Sequence, residues 1–163
     1  NEYYPGNGVS NPATQSCAGL PNANEMSWYV MYGDPRWDGD ELWTTMGHLY
    51  KGGIWFKKKA NISGYNPNGA INGGDWRTDE GNSHWSVSQT LPSAADAGNY
   101  FYLPALGYYR NGQLYDVGKF GTYWSSSACP NNGGLAYGLR FIKGDVFVGN
   151  YNSYYGFRAE ALQ

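Results

Sequence analysis

The chain is short of charge, of cysteine and of long apolar runs. Of its 163 residues, 15% are charged and the formal net charge is −2. A surface for nucleic acid or anionic lipid needs a cationic excess, so neither partner is expected. No apolar run approaches the ~20 residues that span a bilayer, so direct membrane insertion is not expected either. The two histidines, His48 and His84, stand far apart in sequence. Neither lies in a metal-ligand spacing such as His-Glu-x-x-His. The two cysteines, Cys17 and Cys129, could close a loop of about 112 residues, worth ~4–5 kcal/mol in chain-entropy terms. They could equally stay as free thiols, and the spacing leaves both readings open. No initiator Met stands at Asn1 and no leader-like apolar stretch follows. The chain therefore reads as a mature or excised segment.

What the chain has is aromatic side chains and glycine: 18% aromatics, with 16 Tyr and 7 Trp, and 24 Gly. Disorder goes with few aromatics and high charge, so this is a folding composition, of the kind found in loop-rich extracellular domains. The length fits a single domain over 1–163 that can bury roughly 70% of its unfolded surface. Residues Asn1–Gly19, rich in Asn, Gly, Pro and Ser, read as an extended lead-in.

Asn22-Ala23-Asn24-Glu25 offers N-cap chemistry ahead of Met26, Tyr29 and Val30 at i, i+3 and i+4. With Gly33 as a stop, the pattern predicts a helix over about 24–32. Asp34-Pro35-Arg36-Trp37 reads as a turn. Asp38 or Asp40 can cap a second helix, with Leu42, Trp43 and Met46 on one face, Gly47 at its end and His48 suiting its dipole. Gly52–Lys59 reads as a strand in which Ile54 and Phe56 alternate with Trp55 and Lys57. Asn61–Ser88 reads as a long loop held in order by Trp76 and Trp85. Ser93–Ala97 is at most a helical turn, and Tyr100–Leu103 is a strand ended by Pro104. Asn111-Gly112 marks a tight turn inside Gly107–Tyr115, and Tyr123-Trp124-Ser125 begins another strand. Two early helices followed by short strands and long loops make an α+β pattern.

The last third carries the functional signal. Leu139-Arg140-Phe141 and Val146-Phe147-Val148, joined by Lys143-Gly144-Asp145, predict a β-hairpin with one buried face. Gly149–Gly156 follows with no apolar period and reads as a Tyr/Asn/Ser loop. Such loops suit binding: Tyr gives area at low entropic cost, and Asn, Ser and Gly give adaptable hydrogen bonds.

Several words of the chain carry a resemblance. They are Phe101-Tyr102-Leu103-Pro104-Ala105-Leu106-Gly107, Val117-Gly118, Gly121-Thr122-Tyr123-Trp124-Ser125-Ser126-Ser127, Ala136-Tyr137-x-Leu139-x-Phe141 and Tyr155-Gly156-Phe157-Arg158. Together they resemble the C-type-lectin-fold domains of the formylglycine-generating-enzyme-like branch. The similarity is to modules of bacterial surface and fimbrial-tip-type proteins and to retroelement-diversified variable proteins. The words Asn24–Val30, Gly33–Asp38 and Thr45–Tyr50 look like surface-protein members from gut anaerobes, and the resemblance covers roughly Cys17 to Ala159.

The resemblance implies a C-type lectin-like fold, two helices packed on a small twisted antiparallel sheet with long loops. The C-terminal hairpin and loops would present a ligand face. Mapped here, Ala136, Leu139, Phe141, Val146, Val148, Gly156 and Phe157 would be buried. Gly138, Arg140, Ile142, Asp145, Phe147, Asn150, Tyr151, Asn152, Tyr154 and Tyr155 would be exposed. Relatives commonly end in Gly-Phe-x-Val-Arg, whereas this chain has Gly156-Phe157-Arg158-Ala159-Glu160, so its last strand pairs differently or faces solvent.

The Glu-Pro-Asn, Gln-Pro-Asp and Trp-Asn-Asp words of calcium-bridged sugar binding are missing. Asp75, Asp79 and Glu80, or Asp34, Asp38 and Asp40, could offer loop oxygens to Ca²⁺, but solvated turn carboxylates and caps are the favoured reading. Formylglycine-type oxidation needs closely spaced late cysteines, and Cys129 stands alone. Ser125-Ser126-Ser127 lacks the glycine frame of a nucleophile elbow and suits satisfaction of backbone groups at a strand end. No cofactor and no enzymatic activity are expected. The expected function is ligand binding, in adhesion or receptor recognition, through Tyr137, Arg140, Phe147, Asn150, Tyr151, Asn152, Tyr154 and Tyr155. The partner would be a protein or glycan on a cell or phage surface, met at a bacterial surface, an appendage tip or a phage particle. The alternative is an assembly subunit of a fimbrial or phage appendage that uses the same face for subunit contacts.

Overall fold

In the computed structural model of the protein, residues 16–163 are described, together with the antiparallel backbone pairing of two short strands, Glu2–Tyr3 (β1) and Asn11–Pro12 (β2). The lead-in expected over Asn1–Gly19 otherwise falls outside the described residues up to position 15. One α-helix follows, α1 (Ala23–Tyr32), then β3 (Arg36–Thr45), β4 (His48–Lys57), β5 (Ser83–Ser86) and β6 (Tyr100–Pro104). The remaining strands are β7 (Tyr108–Arg110), β8 (Gln113–Tyr115), β9 (Gly121–Ala128), β10 (Leu135–Ile142) and β11 (Asp145–Asn152). The larger sheet has the order β5-β11-β10-β9 and the smaller β3-β4-β6; β7-β8 forms a separate ribbon.

Strands hold 43% of the chain and helices 11%, so the expected α+β, C-type lectin-like arrangement of two helices on a small sheet is overturned. The segment read as a second helix is strand β3. Its partner is β4, with Trp43 opposite Tyr50 and Thr45 opposite His48. Trp43, Thr44 and Thr45 are strand formers. Met46 and Gly47, at φ 50° and 78°, make the two-residue left-handed turn that closes a hairpin. Leu42 and Met46 are 60% and 73% exposed, so they form no buried helical stripe. His48 accordingly opens β4 rather than closing a helix.

The predicted first helix forms where its caps lie. The Asn22 side chain accepts from the Glu25 N–H at 3.0 Å, while the Asn22 N–H donates to Glu25 Oε2 at 2.8 Å, a reciprocal capping box. The Ala23 N–H, a further free donor of the first turn, goes to Ser127 Oγ at 3.0 Å. Ser125 Oγ in turn accepts from the Ser127 N–H, so two serines of the run do serve backbone groups. Met26, Tyr29 and Val30 are fully buried, and α1 packs on β5, β9, β10 and β11.

Rings from both sheets meet in the core. Phe141 of β10 stacks on Tyr123 (6.0 Å between centroids) and meets Trp37 and Phe56 edge-on, each at 6.5 Å. Its ring lies against Gly121, where any Cβ would collide with it.

The long loop is ordered by α1. Asn24, fully buried, accepts the Trp76 N–H at 2.8 Å and donates to Asp75 Oδ1 at 2.9 Å. Ser27 Oγ accepts the Ile71 N–H, and Trp28 Nε1 donates to the Gly69 carbonyl. Trp76 is buried as expected of an anchor, but Trp85 is 47% exposed and stands on β5.

Candidate binding face

Strand β11 runs on through Asn152, so Gly149–Asn152 is not loop. Only Ser153–Gly156 connects it to the C-terminal segment. This extension changes the site, because side chains along a strand alternate between faces. Val146 and Val148 point into the core, and Asn150 and Asn152 follow them on that side. Phe147, Gly149 and Tyr151 point the other way. The eight expected contact residues are therefore divided between two faces.

Tyr137, Asn150 and Asn152 belong to the inner side. Tyr137 is 0% exposed, stacks on Trp76 (6.3 Å, 16°) and accepts the Gly81 N–H at 2.9 Å. Burial raises its hydroxyl above the usual phenol range. Tyr137 is a core residue and cannot touch a ligand. Asn150 Nδ2 donates to Glu80 Oε1 at 2.7 Å. The same oxygen accepts from Cys129 Sγ at 3.2 Å. Burial, together with the Glu80 carboxylate, pushes the Cys129 thiol up. Cys17 and Cys129 are both free, so the open disulfide question resolves to two thiols.

Arg140, Phe147 and Tyr151 share the outer side. The register aligns Thr122, Arg140, Phe147 and His84 in one row across the sheet, and pairs Gly138 with Gly149 in the next. Those glycines form a floor. A Cβ at Gly149 would collide with the Phe147 ring, and one at Gly138 would press on Tyr123 O (3.1 Å), Tyr151 Cδ2 (3.2 Å) and Phe157 Cδ2 (3.4 Å). Gly138, expected exposed, is buried beneath these rings; Ala136, Gly156 and Phe157, expected buried, are only half-buried.

The reason is the C-terminal segment, which folds back over β9. The Arg158 N–H donates to the Thr122 carbonyl at 3.0 Å and the Trp124 N–H to the Arg158 carbonyl at 2.9 Å, in parallel pairing. Gly156 exchanges two bonds of 2.9 Å with Tyr109 of β7. The segment after Gly156 thus pairs in parallel with β9 rather than ending free. Phe157 stacks on Trp124 at 4.3 Å, which joins two of the words that carry the resemblance.

A line of rings crosses this face. Phe147 meets Tyr151 edge-on (6.3 Å), Tyr151 meets Phe157 (5.2 Å), Phe157 stacks on Tyr155 (5.9 Å), and Tyr155 meets Tyr154 (4.8 Å). The Arg110 guanidinium lies 5.7 Å over Tyr155 and that of Arg140 4.9 Å over Phe120. A recess of about 200 Å³ is lined by Arg140, Phe141, Ile142, Asp145, Phe147 and Tyr151. The Tyr151 hydroxyl is buried there without a partner, and burial pushes it well above the usual phenol range. His84 Nε2 lies 2.5 Å from Asp145 Oδ1, close enough for an ion pair when the imidazole is protonated but off the line of a hydrogen bond. His84, Phe120 and Trp124 lie outside the sequence reading of the face, and Phe157 is expected there only as a buried residue. Their only signal is the register that brings four separate segments side by side.

All the carboxylates considered for Ca²⁺ except Asp79 have other partners among the described residues. Asp75 is held by Arg77 at 2.7 Å and 2.8 Å and by Asn24. Asp34 is held by Arg36 through both oxygens and by the Tyr100 hydroxyl at 2.6 Å. Asp38 is buried and caps the backbone N–H groups of Asp40 and Glu41. Among the described residues no three His, Cys, Asp or Glu side chains gather in a metal-holding cluster.

Compared with known proteins, the chain matches no family model, no curated protein and no solved structure. Among the described residues no helix is long and apolar enough to cross a membrane.

Proposed function

We propose that this chain is a non-enzymatic binding domain whose ligand lies on the outer face of the β5-β11-β10-β9 sheet. The observation that carries this reading is Arg140. It is exposed, makes no ion pair among the described residues, and is held over Phe120 beside the recess with the unpartnered Tyr151 hydroxyl. A planar cation with free donors suits bidentate capture of a carboxylate or a similar acceptor on a protein or glycan. Phe147, Tyr154 and Tyr155 supply contact area around it, and the buried hydroxyl of Tyr151 offers a hydrogen bond that a ligand completes. The setting that goes with this function, a bacterial surface, an appendage or a phage particle, rests on the resemblance of the sequence words.

The test is a screen of wild type against arrayed glycans and surface proteins, beside an Arg140→Ala/Tyr154→Ala variant, with and without EDTA. The expected hit persists in EDTA and is lost in the variant. A hit that EDTA abolishes, or one the variant retains, refutes this assignment. Concentration-dependent self-association of the wild type, lost in the variant, transfers the face to an assembly subunit.

A further inference from the structure

The smaller sheet carries a second set of rings that the binding face does not use. On its outer side Arg36, Trp55 and Tyr102 align across β3, β4 and β6. The Trp55 and Tyr102 rings lie 5.1 Å apart, tilted by 52°. Trp43 and Tyr50 stack at 5.1 Å and 25° across the β3–β4 arm. All four side chains are half-buried, each leaving part of a ring in water.

Polar groups sit among the rings. Trp55 Nε1 donates to Asp38 Oδ2 at 3.1 Å, which fixes the indole. The Tyr102 hydroxyl lies over Gly53, where a Cβ would strike it. It is buried without a hydrogen-bond partner, and the Asp38 and Glu41 carboxylates and the Trp43 indole are the groups that act on it besides burial. An orphaned buried hydroxyl costs free energy and calls for a partner from outside the fold.

The cations of this surface are engaged. Arg36 is chelated by Asp34, Lys57 also acts on Asp34, and Lys51 pairs with Asp40 at 3.2 Å. Glu41 is exposed with no ion pair among the described residues. The free charge beside the rings is therefore negative, which disfavours an anionic ligand.

We infer that this surface binds a neutral polysaccharide. Sugar rings present flat C–H faces that lie on aromatic rings and hydroxyls that seek carboxylate and phenol partners. Trp55 and Trp43 provide the platforms, and Tyr102 and Glu41 the polar contacts. The inference stands apart from the Arg140 face, which lies on the other sheet.

Affinity electrophoresis of the whole chain tests it, in gels containing hydroxyethylcellulose, galactomannan or xylan, with polygalacturonate as the anionic control. At least one neutral polymer retards the protein and polygalacturonate does not. Trp55→Ala weakens retardation by about tenfold, the loss of one stacked ring. Tyr102→Phe keeps the ring and weakens it by about threefold, and Arg140→Ala leaves it unchanged. Circular dichroism checks each variant. If Trp55→Ala does not fold, Tyr102→Phe and Glu41→Gln decide. No retardation by any neutral polymer, retardation by polygalacturonate alone, equal retardation of the sheet variants and wild type, or loss in Arg140→Ala each overturns the inference.

Discussion

Asn24→Ala tests whether one side chain of α1 holds the long central loop. Asn24 is fully buried and joins the helix to Trp76 and Asp75 at 2.8 Å and 2.9 Å. Alanine removes both bonds. The buried Trp76 N–H is then left without an acceptor, which costs about 1–3 kcal/mol. Asp75, 31% exposed, recovers its bond from water, so that loss adds about 1 kcal/mol at most. The sum is about 1–4 kcal/mol, or roughly 2–16 °C in Tm for a chain of this length. Urea denaturation gives the free energy, and amide exchange shows where it falls. Protection should drop first at Trp76 and the neighbouring loop, while the β10–β11 ladder keeps its own until global unfolding. A loss under about 0.5 kcal/mol with Trp76 still protected refutes the argument, because a buried donor would then have been orphaned at no cost.

Two further outcomes follow from the same geometry. Tyr137→Ala should cost about 3–5 kcal/mol in urea denaturation, as for other buried aromatics, whereas Tyr154→Ala should stay within about 0.5 kcal/mol; equal costs would contradict the division of the candidate residues between core and surface. The Tyr29 and Tyr100 hydroxyls are pushed up to about 12, chiefly by burial. The unfolded phenol ionises near ~10, so their contribution is complete below that pH and is lost as pH rises from ~10 to 12. Absorbance at 295 nm should show these phenols titrating late and together with unfolding, and ordinary titration of every tyrosine would refute this.

Elements whose signals lie within a few residues are legible in the sequence. The Asn22/Glu25 box, the spacing of Met26, Tyr29 and Val30, and Gly33 define α1. The Asn111-Gly112 pair, both at positive φ, turns β7 into β8. Pro104 ends β6, and the alternation of Leu139, Phe141, Val146 and Val148 marks the inner side of the hairpin. The second helix does not form, because Leu42, Trp43 and Met46 meet a helical spacing only by chance. The β-branched pair Thr44-Thr45 and the turn at Met46-Gly47 outweigh it once β4 is there to pair with.

The candidate face was legible in its residue types and not in its sides. Tyr, Asn and Gly after Val148 do mark the segment where Arg140, Phe147, Tyr151, Tyr154 and Tyr155 gather. That Tyr137 and Asn150 turn inward depends on how far β11 stays paired to β10. The polar composition of Gly149–Asn152 hides that pairing, because ladder hydrogen bonds come from the backbone and not from side chains.

By itself the sequence determined the first helix, the C-terminal hairpin, the tight turns and the aromatic, weakly charged character of the chain, since caps, turns and periodicity act within a few residues. Only the tertiary structure decided the mostly-β architecture, the burial of Tyr137, the free thiols and the return of Phe157 onto Trp124. Each of these depends on which distant strand lies alongside, and that choice is made by register and packing across the whole core.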